Sequence, residues 1–358
     1  MIVPDLREAY ALSLGQIGVL LAAGWIGTAV TLLPWGLAAD RFGERVVLTA
    51  GLLGSAVCLA GAAYAPSYEA LVIALALAGA TGASVNSASG RAVMRWFGAD
   101  ERGLALGVRQ TAIPLGGLAG ALALPPLAEA GGPEAAFLFL ATLCGIGALV
   151  GAAVLRGREA TDGIEVASVA RTIVDGKLWR LSLGSGLYAY AQIAVLGFGV
   201  LFLVDEHDFT KQSAALVFAG SQVLAAAFRI GGGRWSDLMG KRVVPLRRVG
   251  LAIVAVMLAT ALLAGGPVWL LVPVLTLAGG LTMAWNGLSF TAAAELSGAV
   301  RTGAAIGVQQ TVLAVSGVAA PVLFAATISA SSWGAAFAFA ALFPLVGWWS
   351  LRPLAERR

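Results

Sequence analysis

Nine stretches of this 358-residue chain contain no Asp, Glu, Lys or Arg: residues 9–39, 46–68, 70–90, 110–128, 135–155, 181–204, 212–228, 249–294 and 302–351. A charged side chain at the centre of a bilayer costs about 2.5–3.5 kcal/mol even on insertion scales, so charge is excluded from any segment that crosses one. A crossing needs about 20 residues, which makes seven of these runs single spans. The last two are double length, with natural breaks at Gly265-Gly266-Pro267 and at Ser329 to Trp333. The spacing therefore predicts an all-α polytopic membrane protein with eleven transmembrane helices.

Composition agrees: 12% of residues are charged and 59% hydrophobic, against about 25% charged in a soluble domain, which excludes an ordinary soluble enzyme. The two cysteines, Cys58 and Cys144, lie inside apolar runs, which excludes a disulfide scaffold and suits buried thiols. Taking the first loop as external, the outer segments hold Arg7 and Lys211 against Asp5, Glu8, Glu69, Glu129, Glu134, Asp205, Glu206 and Asp208, a net −6. The opposite side carries +10, which by the positive-inside rule makes it cytoplasmic, together with the C-terminus and its Arg352, Arg357 and Arg358. The basic excess thus reports topology rather than nucleic-acid binding.

The chain repeats itself. Gly36-Leu-Ala-Ala-Asp40-Arg41-Phe-Gly43-Glu-Arg45-Val-Val returns 197 residues later as Gly233-Arg-Trp-Ser-Asp237-Leu-Met-Gly240-Lys-Arg242-Val-Val. Further on, Asn86 matches Asn286, Gly103 matches Gly303, and Gly107-Val-Arg-Gln110-Thr111 matches Gly307-Val-Gln-Gln310-Thr311, all at an offset of 200. A small insertion around Pro245 to Arg247 accounts for the change. Two halves follow, residues 1–156 and 179–358, joined by a cytoplasmic linker over 157–178.

The pattern Gly-x-x-x-Asp-x-x-Gly-x-Arg, present twice, resembles the signature loop of the major facilitator superfamily, whose members have twelve helices in two six-helix halves. Ala38 stands where the family usually has Leu. The resemblance implies that Gly36, Asp40, Arg41, Gly43 and Arg45, with Gly233, Asp237, Gly240 and Arg242, latch the halves together when the protein is open to the outside. Arg91, Arg95 and the region of Arg301 are the expected partners. The alternative is that these charges only keep their loops on the cytoplasmic side. The repeat also leaves a gap: the span from about Trp179 to Val204 has a first-half partner of which only Met1 to Leu6 would remain. The expectation is a family fold without its first helix, through truncation or a late start.

Polar residues inside spans are costly and usually face the bundle interior. The substrate-binding candidates are Arg109, Gln110, Asn86, Asn286, Gln309, Gln310, Tyr188 and Gln192. Thr111, Thr311, Tyr190, Gln222 and Arg229 complete the set of polar groups at depth. Asn86 with Asn286, and Gln110 with Gln310, are symmetry mates expected at matching depth, where family transporters bind substrate between the halves. Interhelical bonding is the equal alternative for these amides. Arg109 adjoins the charge-free run 110–128 and is read as lying at depth within the span, where snorkelling is difficult. Its fork of donors suits a carboxylate or phosphate group, and the competing role is a structural arginine bonded to carbonyls of a neighbouring helix. Arg229, four residues before the second loop motif, reads as structural.

No Asp or Glu lies at mid-span and the single histidine, His207, is in an external loop, so no carrier for proton coupling, metal ligand set or catalytic cluster is visible. The phosphate-cradling Gly-x-x-x-x-Gly-Lys-Ser/Thr motif is absent, which excludes an ATP-driven pump in this chain. The expected function is a secondary active or facilitative transporter working by alternating access in the cell membrane. It acts as a monomer without cofactor, and its leading solute is a small organic anion. The alternative is an efflux antiporter for drug-like or metabolite molecules, suggested by Pro114-Leu-Gly116-Gly117.

Overall fold

The computed structural model describes residues 2–96, 102–155, 175–297 and 302–355. Arg301 and most of the expected linker lie outside these residues, as do the side chains of Asp40, Arg91 and Arg95. The helices are α1 (Val3–Tyr10), α2 (Leu14–Ala63), α3 (Tyr68–Trp96), α4 (Arg102–Val154), α5 (Gly176–His207) and α6 (Lys211–Met239). They continue with α7 (Val243–Leu262), α8 (Val268–Leu281), α9 (Trp285–Ser297), α10 (Thr302–Ala330), α11 (Trp333–Ser350) and α12 (Arg352–Ala355). No strand occurs among the described residues.

Ten described stretches are long and apolar enough to cross a membrane. One of them, Arg109–Val154, has 46 residues, more than two crossings require. It is interrupted at Gly131 and Gly132, the latter at φ 69°, ψ 179°, a conformation that a Cβ would strain. Counted as two, it brings the total to the eleven that the charge-free runs predict.

The ends of the helices follow from local chemistry. Pro267 precedes α8, and Ser332 caps α11 by accepting the Ala335 N–H at 3.2 Å, so both double-length runs break where the sequence places the breaks. Ser13 and Gln16 form a capping box at the start of α2. In α2 the helix is interrupted at Gly43 (φ 78°, ψ 163°), and its repeat mate Gly240 ends α6 at φ 60°, ψ 22°. The same glycine of each motif copy supplies the positive φ that turns the chain.

Small residues set the packing of the first half. A Cβ on Gly27 would lie 1.9 Å from the Ala76 carbonyl oxygen, and one on Gly79 2.0 Å from that of Gly24, so α2 and α3 touch backbone to backbone. Thr31 Oγ1 and Trp35 Nε1 each donate to the Ala80 carbonyl at 2.7 Å across the same contact. The second half is held by aromatics instead: Phe202 meets Trp333 and Phe337 with ring centroids 5.2 and 5.1 Å apart, and Phe198 and Phe324 close the cluster at 5.3 Å.

The halves meet along two seams. In one, Trp25 of α2 covers Gly317 of α10, and Gly18 faces the Pro321 carbonyl. In the other, Gln222 of α6 sits on Gly117 of α4.

Candidate functional site

Residues Val268 to Ser297 form one candidate span but not one helix, because the backbone between α8 and α9 passes through a turn at Thr282 to Ala284. A turn at this depth frees carbonyls that lipid cannot satisfy, so protein groups must. The Met283 carbonyl accepts two such bonds, from Arg229 Nε and from Asn286 Nδ2, each at 3.1 Å. Asn286 Nδ2 also donates to Gln192 Oε1 on α5 at 3.1 Å. Arg229 then crosses the seam: its Nη1 donates to the Gln110 carbonyl of α4 at 2.6 Å. One connected set therefore joins α5, α6, the break between α8 and α9, and α4.

This set is buried and incompletely paired. Arg229 is 9% exposed and Gln222 3%, yet Arg229 Nη2 and Gln222 Oε1 have no hydrogen-bond partner. Both acceptors of Arg229 are neutral carbonyls, and among the described residues no carboxylate pairs with it. Arg229 lies ten residues, about 15 Å, from the Met239 end of α6, with Arg234 and Asp237 between them.

The sequence-derived candidates divide into five places. Gln110, Asn286 and Gln192 belong to the set just described, Gln110 through its backbone rather than its amide. Arg109 turns to α3, where Nε donates to Ser89 Oγ at 2.9 Å and Nη2 to the Asn86 carbonyl at 3.4 Å. The exposed Asn86 is thus beside Arg109 and apart from its symmetry mate. Gln309 donates to Ser289 Oγ, which also bonds Ser185, in a buried cluster inside the second half. Tyr188 is fully buried against Gly250 and Gly347, within the packing of the second half, and Gln310 is half-buried on α10. Arg229 and Gln222 are the residues that sequence reasoning undervalued. The signal available was that Arg229 closes the charge-free run 212–228 well inside its helix.

The two ends of the bundle differ. At the acidic end the contacts run between halves: Arg7 pairs with Asp205, Lys211 with Asp5 at 3.0 Å and with Glu8 at 2.7 Å, and Gln212 donates to Glu129. Tyr10 donates there to the Ala65 carbonyl at 2.9 Å, and burial, aided by the nearby Glu134 charge, pushes its hydroxyl pKa up. At the motif end Arg242, in the second half, bonds Asp237 and, at 2.8 Å, Glu295 of the same half. Burial opposes the charge of Arg242, but its bonds to Asp237 and Glu295 outweigh that and hold its pKa above the ordinary value. Among the described residues no group of three or more His, Cys, Asp or Glu is placed to hold a metal ion.

Comparison with known proteins adds what geometry cannot. A profile of the Major Facilitator Superfamily matches residues 1–321. An uncharacterised MFS-type transporter of Mycobacterium tuberculosis is 33% identical over 354 residues, covering 96% of this chain and 78% of that protein. The hexuronate transporter of Bacillus subtilis is 26% identical over 114 residues, 32% of this chain and 27% of its own. Among solved structures, a bacterial homologue of the human lysosomal transporter Spinster, inward-facing and occupied, superposes with a TM-score of 0.81 at 15% identity, covering 99% of this chain and 92% of that one.

Proposed function

The chain belongs to the major facilitator superfamily, a family of multi-pass membrane transporters of small solutes, and from that premise we propose that it carries a small organic anion by alternating access. In this reading the acidic end faces outward and the motif end, with the C-terminus, faces the cytoplasm. The ion pairs of Arg7 and Lys211 then hold the outer side shut. The protein works as a monomer in the cell membrane, either as a facilitator or coupled to another solute.

The observation that carries the anion assignment is Arg109, a guanidinium at the start of its candidate span that donates to a hydroxyl and a carbonyl. A charge kept at this cost, with no acid paired to it among the described residues, is suited to meet an anionic solute. The hexuronate transporter of Bacillus subtilis, named for a sugar carboxylate, supports the same class over the part of the chain that it matches. Uptake into proteoliposomes is the test: Arg109→Gln should abolish anion transport, and unchanged kinetics would reject the role. The efflux alternative has only Pro114-Leu-Gly116-Gly117 in its favour, and Gly117 is already occupied as the seat of Gln222.

A further inference from the structure

We propose that Arg229 is a second anion anchor, a carboxylate-binding group at the seam between the halves, and that the Gln110 and Met283 carbonyls are placeholders which the solute displaces. The inference deepens the anion-carrier reading and rests on it. Three independent observations converge on this point.

The first is unmet valence. A guanidinium has five N–H donors in a planar fork, and here Nε and Nη1 are engaged while Nη2 is sealed from solvent with nothing to donate to. A purely structural arginine that staples two helices would be expected to satisfy its donors, because an unpartnered buried donor keeps its full desolvation penalty. A bidentate carboxylate would take up Nη2 together with one of its neighbours.

The second is charge. The positive head is held by two carbonyl oxygens and by no carboxylate among the described residues, so the site is short by one negative charge. The third is the chain break. The 13-residue helix α9 starts inside the candidate span, two residues after the Met283 carbonyl that holds Arg229. The positive end of its dipole therefore starts two residues from the carbonyl that the guanidinium holds, an arrangement suited to an anion. Asn286, in that first turn, and Gln192 supply amide groups for the uncharged part of a solute. Gln222, two turns before Arg229 on α6, supplies another.

The position also says what binding does. Gln110 belongs to the first half and Arg229 to the second, so an anion that takes the guanidinium releases the 2.6 Å bond that ties α4 to α6. Nη2 is sealed in the present state, so the solute reaches it only as the two helices part. Occupancy and movement at this seam are thereby linked.

The test is a thermal-shift titration of the purified full chain with acetate, succinate, inorganic phosphate and glucuronate, with glucose as the uncharged counterpart of glucuronate. At least one anion should raise the apparent Tm of the wild type while glucose does not. Arg229→Gln should weaken that anion by about tenfold or more, the loss of a charge-assisted pair. If Arg229→Gln is not monodisperse, Arg229→Lys carries the test. It keeps the charge but not the fork, and should also bind about tenfold more weakly. Affinity unchanged in the folded variant overturns the inference. If Arg109→Gln loses the shift and Arg229→Gln keeps it, the anion-carrier reading stands and this anchor falls. If none of the four anions shifts the wild type, both fall together.

Discussion

Replacing Lys211 by Met should open the acidic end of the bundle, and the size of the effect follows from the exposure of its partners. Lys211 is 30% exposed and reaches Asp5, 9% exposed, at 3.0 Å and Glu8, 69% exposed, at 2.7 Å. The Glu8 pair is largely in water and contributes less than about 1 kcal/mol. The Asp5 pair is another matter: its carboxylate is buried, its Oδ2 already lacks a partner, and loss of the ammonium leaves the charge uncompensated. A hydrogen bond to a charged group of this kind contributes about 1.5–3 kcal/mol. Together the two pairs hold the end shut by about 2–3 kcal/mol, a change of about 30- to 150-fold in the closed-to-open ratio. If about 99% of resting molecules are closed, the variant should be open in about a quarter to somewhat over half. Spin labels at Ala130→Cys and Glu206→Cys, two exposed positions at this end on opposite halves, would report it after Cys58 and Cys144 are replaced by Ala. Pulsed dipolar distances should gain a longer population in Lys211→Met and more of it when Arg7→Ala also removes the Arg7–Asp205 pair. Identical distance distributions in all three proteins would refute the idea that these ion pairs keep the end closed.

Other perturbations probe the scaffold. Gly27→Val should force α2 from α3, because its Cβ alone would overlap the Ala76 carbonyl, and should lower the Tm by several degrees or abolish expression, whereas Gly145→Ala, with open space around it, should leave the Tm within about one degree. Gly43→Ala places a Cβ on a backbone at φ 78°, ψ 163°, a conformation almost confined to glycine, and should cost about 1–3 kcal/mol in a thermal or denaturant unfolding assay. A Gly43→Ala protein as stable as the wild type would mean that the loop turns by some other backbone path.

Membrane insertion made much of this fold readable in one dimension. The cost of burying a charge is paid by each residue wherever the helix later packs, so charge-free runs mark the spans without knowledge of neighbours. Loop chemistry is similarly local: the breaks at Gly265 to Pro267 and Ser329 to Trp333 fall at helix ends, and Gly43 and Gly240, equivalent in the repeat, share a positive φ. Hydrogen-bond partners are not local. Arg109 and Arg229 look alike in sequence, each a cation near the end of a charge-free run, and Arg229 reads as the less informative of the two. Folding turns Arg109 onto its own half, at Ser89 and Asn86, and sends Arg229 across the seam to Gln110. Symmetry of sequence also overstates symmetry of contact, since Asn286 bonds at a helix break while Asn86 is exposed on a continuous helix.

The sequence by itself determined which stretches are candidate spans, where the chain turns and that its loop motif is repeated, because desolvation of charge and backbone conformation are properties of short segments. Tertiary structure alone decided that α9 starts inside a candidate span, that Arg229 holds the free carbonyl there, and that ion pairs between the halves sit at the acidic end. Those outcomes depend on distances between residues up to about two hundred positions apart in the chain, which only the packing of the two halves against each other creates.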